Sequence, residues 1–523
     1  MCRLNHSAQL ESELVHLASA ATQALLSGGW NIMASLNVLL LPEPGSGHLM
    51  SLIEAGKRLL GHGAGGGDDE DLGQEFTVTV LVVRPPTPES ASEVGAHVRR
   101  VAASGIGIRF HHLPAVDPPA DCAGNLQAFK SRYLELYKPH VEAAARELGA
   151  AALVVDFFAT TVLDVARALA VPTYVYFTST AALLALTLRL PALNETVAVD
   201  FETFEGTVDV PGLPPVPAGN IPGFLGRKDN PNFTWFVYHG RRFMDADGII
   251  VNTVTQLEPG LLTAIAEGRC MPGRPAPPLY PIGPVLNLGV ENASDDEACV
   301  RWLDSQPQAS VVFLCFGSLG WFDAAKAREV ATGLERSGHR FLWALRGPPA
   351  AGSRHPSDAD LDELLPAGFL ERTKDRGLVW PRWAPQKAVL SHGAVGGFVT
   401  HCGWNSTMES LWHGVPLVPW PLYAEQHLNA FELVSVMGVA VAMEVDRKRD
   451  NFVEAAELER AVRALMGGGE EGRKAREKAA EMKAACRKAV EAGGSSYMAL
   501  ERLRDAIRKG ASATAAHSKA PLI

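Results

Sequence analysis

Short apolar runs, each closed by a turn and followed by an amphipathic stretch, recur along the chain and leave it few folds. The first, LNVLLL at Leu36–Leu41, leads through the turn-forming PEPGSG into HLMSLIEAGKRLL, so strand, loop and helix follow in order. Runs at Phe76–Val83, Ile108–Leu113, just before Asp156 and at Tyr174–Phe177 repeat the pattern, with a long helix ending near Leu148 and another over TTVLDVARALA. Strands alternating with helices imply an α/β architecture with a mostly parallel sheet.

After GIIVNT at Gly248–Thr253 and one more helix, a Pro- and Gly-rich segment, GRCMPGRPAPPLYPIGPVLNLGVENASDDEA, marks an interdomain connection with its boundary near Pro284. A second series follows: SVVFLCFGS, a helix from Asp323, RFLWAL, GLVWP, VGGFVTH, a helix from Asn405, and PLVPWP. At 523 residues the chain exceeds what one core usually organises. We therefore expect two doubly wound, Rossmann-like domains facing a cleft, residues 34–283 and 299–490, joined by a linker at 284–298. Ligands should sit at the C-terminal ends of the strands. Beyond Gly468 the sequence reads as charged packing helices, with a last helix and tail over 491–523. The first 32 residues fit no element and Met33 stands where the first domain naturally begins, so residues 1–33 are expected to be a dispensable, disordered extension.

A net charge of −10 and the lack of any basic tract argue against nucleic acid. Seven scattered cysteines with no Cys-x-x-Cys pair fit a reducing compartment without structural zinc, and the N-terminus has no basic start followed by an apolar core. The apolar stretch Tyr174 to Leu193, interrupted by Thr, Ser and Arg189, reads as a strand plus a core helix rather than a membrane span. These features point to the cytoplasm. The cleft needs no second chain, so a monomer is expected.

The stretch from Trp383 to Gln426, WAPQKAVLSHGAVGGFVTHCGWNSTMESLWHGVPLVPWPLYAEQ, carries the most chemistry. A strand ends at His401, Cys402 and Gly403 turn the chain, and Asn405, Ser406 and Thr407 offer capping groups and free N–H groups at a helix start. Such a terminus suits an anion, and Gly403 would admit a diphosphate closely; an ordinary capped helix would carry the same residues. Trp383 offers a flat face for a uracil ring, Glu409 lies one turn along the helix where it could accept ribose hydroxyls, and Glu425 with Gln426 suits sugar hydroxyls.

This stretch closely resembles the signature box of the plant family-one UDP-glycosyltransferases, with the two-domain GT-B fold, and the chain from Met33 onward is similar to that family. The resemblance implies that Trp383 stacks on uracil, Ala384 and Gln386 contact its edge, and Glu409 holds the ribose. It also implies that His401, Trp404, Asn405 and Ser406 bind the diphosphate, that Ser318 reaches the phosphates from the other side, and that Glu425 and Gln426 hold the sugar. Gln at position 426 is associated in the family with glucose, and His there with galactose, so UDP-glucose is the expected donor substrate.

A second site is GSGH at Gly45–His48. A lone His after a glycine turn is more often a surface or capping residue than a base. Asp156, however, ends an apolar strand, where a carboxylate is costly to bury unless paired. Beside the GSGH loop it could accept the imidazole N–H and stabilise the imidazolium formed when His48 takes a proton. It could equally cap the helix that follows, and Asp164 is a competing carboxylate. The family pattern places its catalytic His and Asp at His48 and Asp156. The implied reaction is one in-line displacement with inversion, needing no cofactor or metal; the acidic clusters at Asp68–Asp71, near Asp295 and at Asp358–Glu363 read as solvated loops.

Gly47, Phe157 and Phe158 are candidate acceptor contacts, although core packing explains either Phe as well. The stretches LYKPHV, VVDFFATTVLDVA and STAALLALTLRLPAL resemble the flavonoid and chalcone glucosyltransferases, which implies a flavonoid or other phenolic acceptor, with terpenoids and hormones as alternatives. Ala159 departs from the Gly that several relatives carry. Two other classes stay open: a nucleotide-sugar epimerase or hydrolase on the same architecture, and a non-catalytic UDP-sugar binder.

Overall fold

The computed structural model describes residues 35–61, 75–120, 124–197, 199–271, 273–287, 298–351 and 353–518. The expected N-terminal extension, the acidic clusters at 68–71 and near 295, and most of the expected linker lie outside them. The first sheet comprises β1 (Leu36–Leu41), β2 (Phe76–Val82), β3 (Ile108–His112), β4 (Ala150–Asp156) and β5 (Thr173–Phe177). A small ribbon, β6 (Thr207–Val208) with β7 (Val216–Pro217), precedes the last two strands of the sheet, β8 (Gly248–Val251) and β9 (Leu279–Pro281). All its pairings are parallel, in the order β3-β2-β1-β4-β5-β8-β9.

The second sheet orders β14 (Gly377–Trp380), β11 (Arg340–Ala344), β10 (Val311–Cys315), β15 (Val395–Thr400) and β16 (Leu417–Pro419), again all parallel. An antiparallel ribbon of β12 (Arg346–Pro349) and β13 (Pro356–Asp358) stands beside it. Helices cover both faces of each sheet, which is why the central strands are long apolar runs: Val38 to Leu41 and Val311 to Leu314 are all within 1% of full burial.

Strand order reverses between β1 and β4 in the first sheet and between β10 and β15 in the second. A crevice opens at the carboxyl ends of the strands at such a point. Register places Leu41 beside Val155 and Cys315 beside Thr400, so the loops after β1 and β4 emerge together, as do those after β10 and β15.

Two elements differ from the sequence expectation. The long helix ending near Leu148 is two, Leu126–Leu136 and Lys138–Glu147, meeting at Tyr137 where Pro139 begins the second. The Pro-rich connecting segment also supplies a strand, β9, whose three residues are too few to show a period. The helix Glu470–Val490 buries a stripe of small residues, Ala475, Ala479, Cys486 and Ala489. The final helix, Ser495–Ser518, crosses back to the first domain, where Ala499, Leu503 and Ile507 enter its core with no exposed surface. Burying Leu503 and Ile507 alone stabilises that docking by roughly 3–6 kcal/mol.

Candidate active site

β1 ends at Leu41, and Gly45 leads into the helix Ser46–Leu59, which places His48 in its first turn. Asp156 is the last residue of β4, at the reversal point beside it. Its Oδ2 lies 2.7 Å from Nδ1 of His48, and its Oδ1 accepts a hydrogen bond from the Phe158 N–H at 3.0 Å. Both readings of Asp156 therefore hold at once: it caps the short helix Phe157–Val162 and it faces the imidazole. Asp156 has no exposed surface, whereas His48 keeps 21% of its side chain open. With Nδ1 bonded to Asp156, Nε2 is the ring nitrogen left for a ligand. Asp164, the competing carboxylate, pairs instead with Arg242 at 2.6 Å.

Phe157 and Phe158 are almost wholly buried and sit 5.5 and 5.7 Å from the His48 ring, centroid to centroid. They are core residues that also floor the site, joined through Phe177 and Phe236 to the interior. Gly47 is exposed, and a Cβ there would meet nothing within 4 Å, so the space beside His48 is open. Ala159 has φ −98°, which Ala adopts without strain.

Across the cleft, the helix Trp404–His413 begins after β15 with Gly403 as its N-cap and no side-chain cap. The expected capping by Asn405, Ser406 and Thr407 is not found: Asn405 is exposed and Ser406 Oγ accepts from Gln386 Nε2 at 2.9 Å. The first N–H groups of the helix are thus without a side-chain acceptor at its start, and they carry the positive end of its dipole. Gln386 also donates to Glu409 at 2.7 Å, linking two residues proposed for the nucleoside. Trp383 exposes 62% of its surface, and neighbouring Ala384 is buried. The indole of Trp404 does not face the helix start; its N–H donates to the Asn252 carbonyl of the first domain at 2.6 Å.

His401 is 6% exposed and held between two glycines, since a Cβ on Gly317 or Gly403 would lie 2.4 or 2.5 Å from its Nε2. Burial lowers its pKa to about 4, so it is a neutral donor at pH 7. Ser318 is exposed beyond β10, on a cleft of about 790 Å³ that it shares with Trp383, Arg346 and His355 on one side and with Glu89 and Glu93 on the other. Gln426 is 2% exposed; its carbonyl oxygen accepts from the Leu422 and Tyr423 N–H groups, both at 2.9 Å. Glu425 accepts from Ser179 of the first domain at 3.1 Å.

Sequence reasoning missed Ser179, Asn252 and Gly317. Only Gly317 carried a signal, as a glycine next to Ser318 after an apolar strand; the others are brought in by residues far away in the chain. Among the described residues no group of three metal-ligating side chains is gathered and no helix is long and apolar enough to cross a membrane. In the Asp358–Glu363 cluster, Asp358 pairs with Arg346 at 3.6 Å and Asp360 caps the next helix.

Two Rossmann-like domains with their reversal points opposed, an imidazole–carboxylate pair on one and an open helix start beside an exposed indole on the other, define a GT-B glycosyltransferase. Comparison with known proteins agrees. The family model "UDP-glucoronosyl and UDP-glucosyl transferase" matches residues 288–470. Malvidin galactosylase of Oryza sativa subsp. japonica is 57% identical over 488 residues, covering 92% of this chain and 99% of the relative. Anthocyanidin 5,3-O-glucosyltransferase of a Rosa hybrid cultivar is 38% identical over 89% of this chain and 98% of its own. UGT2 of Phytolacca americana, solved with UDP-2fluoro-glucose and pterostilbene, superposes with a TM-score of 0.78 at 35% identity, covering 91% of this chain and 100% of that one. The chain belongs to the UDP-glucuronosyl and UDP-glucosyl transferase family, among the plant family-one UDP-glycosyltransferases.

Proposed function

We propose that this glycosyltransferase transfers a hexose from a UDP-hexose to a hydroxyl of a small phenolic acceptor of the flavonoid type, in one inverting displacement without a metal. The observation that carries the reading is the 2.7 Å contact between His48 and buried Asp156 at the mouth of the first domain. His48 Nε2 takes the acceptor proton as the oxygen attacks the anomeric carbon, and Asp156 stabilises the resulting imidazolium. UDP leaves on the opposite face, giving a β-glycoside from an α-linked donor. Negative charge then grows on the diphosphate, where the Trp404–His413 helix start, neutral His401 and Ser318 act as fixed dipoles. Trp383 stacks on the uracil, Glu409 holds the ribose, and Glu425 with Gln426 holds the sugar.

Phenolic acceptors are supported by the names of the rice and rose relatives and by the pterostilbene bound to the Phytolacca protein. Gln426 favours glucose. The rice relative is named a galactosylase, which makes galactose the second reading of the donor. The test incubates purified protein, with chelator and without added metal, with UDP-glucose or UDP-galactose and a panel of flavonoids, simple phenols, terpenoid alcohols and hormones. Acceptor-dependent UDP release with a hexose mass gain is expected, largest for phenols. UDP release without acceptor would show a hydrolase, and no release with any donor a binder.

A further inference from the structure

Glu425 and Gln426 sit on a turn whose shape is imposed from outside. It runs from Trp420, after β16, to His427, one residue into the helix Gln426–Ser435. Ala424, just before Glu425, has φ 53°, a left-handed conformation that a residue with a Cβ keeps only where its surroundings hold it. Those surroundings converge on Asn451, 24 residues beyond His427 and 7% exposed. The Asn451 backbone oxygen accepts from the Trp420 indole N–H at 2.9 Å, and its side-chain amide donates to the Leu422 carbonyl at 2.8 Å. Its Oδ1 lies 2.9 Å from Nε2 of His427. A carbonyl can only accept, so the Leu422 bond fixes which way the amide faces, and Oδ1 then accepts from a protonated Nε2. Burial, with Arg447 nearby, lowers the His427 pKa to about 4, so the ring is neutral at pH 7 and donates through that one nitrogen. Asp450 and Asn451 are both left-handed, φ 54° and 57°, where short polar side chains are tolerated best after glycine.

We propose that Asn451 is a positioning residue for the donor hexose: by fastening the Trp420–His427 turn at its middle and both ends, it sets where Glu425 and Gln426 meet the sugar hydroxyls and so which hexose is accepted. This rests on Glu425 and Gln426 holding the sugar. The coupling runs through Leu422, whose N–H is bonded to the Gln426 side chain at 2.9 Å and whose carbonyl is bonded to Asn451. Freeing that carbonyl loosens the residue that anchors Gln426. Glucose and galactose differ only in the direction of one hydroxyl, so telling them apart requires the groups that meet the sugar to be held in place. The same turn also meets the acceptor domain: Asn220 donates to the His427 carbonyl at 3.2 Å, and Arg447, four residues before Asn451, donates to the Ile221 carbonyl at 3.0 Å. The residues assigned to uracil and diphosphate, Trp383 and His401 to Ser406, belong to other elements, so UDP without its hexose should not register a change at Asn451.

The experiment compares wild type, Asn451→Gly and His427→Leu by calorimetry with UDP, UDP-glucose and UDP-galactose, and by kcat/KM for the two sugar donors with one phenolic acceptor. Asn451→Gly keeps the left-handed backbone and the bond to Trp420 and removes only the side-chain bonds. It should leave the Kd of UDP within about twofold of wild type, weaken the better UDP-hexose about tenfold, the worth of one or two hydrogen bonds, and bring the kcat/KM ratio of the two donors toward one. His427→Leu removes one of the same bonds from the other side; it should act in the same direction, and it carries the test alone if Asn451→Gly does not fold. Equal weakening of all three ligands, or of none, with the donor ratio unmoved, would reduce Asn451 to a structural role and overturn the proposal. Glu425→Ala separates the two levels: if it leaves the affinity for UDP-hexose relative to UDP at the wild-type value the underlying reading fails, and if it changes that value while Asn451→Gly does not, only this inference fails.

Discussion

Replacing Asp156 with Asn isolates its two duties, because the substitution keeps shape and removes charge. In the wild type Oδ1 accepts from the Phe158 N–H at 3.0 Å and Oδ2 faces His48 Nδ1 at 2.7 Å. Asn has one acceptor oxygen for these two donors. With its oxygen on Phe158, the NH₂ donates to Nδ1 and forces the proton onto Nε2, the atom that must act as base. With its oxygen on His48, the NH₂ opposes a buried backbone N–H, which costs about 1–3 kcal/mol. The productive arrangement is then outweighed about 5- to 150-fold. In it, the charge-assisted hydrogen bond to the imidazolium is lost as well, about 1.5–3 kcal/mol or a further 10- to 150-fold. Asp156→Asn should therefore lose about 10²–10⁴ in kcat, while its melting temperature stays near wild type because the cap survives. Single-turnover assays with saturating donor and a phenolic acceptor measure the loss. A variant keeping more than about a tenth of the wild-type rate would refute the assignment of Asp156.

Gly317 has φ 73° and a Cβ there would lie 2.4 Å from His401 Nε2; Gly317→Ala should weaken UDP binding at least tenfold by calorimetry, and unchanged affinity would show that the seat of His401 does not matter. Burial depresses the His239 pKa to about 3, below its unfolded value near 6.5, so the unfolded chain takes up the proton first and stability present above pH 6.5 is lost as the pH falls toward 3. His239→Gln should lose stability between pH 6 and 4 less steeply, by about 1.4 kcal/mol per pH unit, and equal slopes would sink the idea. Glu258 and Glu432, each 1% exposed, meet at the domain boundary, and burial raises both pKa values. The folded chain thus holds a proton that the unfolded chain releases near pH 4.3, a contribution intact below that pH and lost as the pH rises through the raised value. Glu432→Gln supplies the donor without the proton, so it should melt higher than wild type at pH 8 by an amount that shrinks toward pH 5; a gain independent of pH would rule out the shared proton.

Those parts of the site whose signal is local could be read from the sequence. An apolar run followed by a glycine turn and His48, and a carboxylate ending another run at Asp156, each lie within one strand–loop–helix unit, and the residues from Trp383 to Gln426 fall in the loops and helix starts of consecutive units along one contiguous stretch. What could not be read depends on distant partners. Glu43 sits in PEPGSG, a composition that otherwise marks a solvated turn, and only Lys130, 87 residues on, makes it a buried ion pair. Ser179 meets Glu425 across 246 residues. The capping expectation failed for an informative reason: Asn405, Ser406 and Thr407 lie inside the first turn, past the N-cap position that Gly403 occupies, so their side chains do not close the helix start.

That open helix start has to hold its place relative to His48 if it is to stabilise a leaving group, because preorganised dipoles act only where charge develops. The chain supplies such a tether. The Trp404 indole, in the first turn of the donor-side helix, donates to Asn252, whose own Oδ1 accepts from the Val285 N–H at 2.7 Å. Asn252 follows β8 in the sheet that carries Asp156. The start of the Trp404–His413 helix is therefore hydrogen-bonded to the first domain, at the residue that follows β8. The residue type follows from this geometry: only an indole combines a large buried surface with one N–H donor and no acceptor, so Trp404 can fill the interface and bond a carbonyl without leaving a polar atom unpaired.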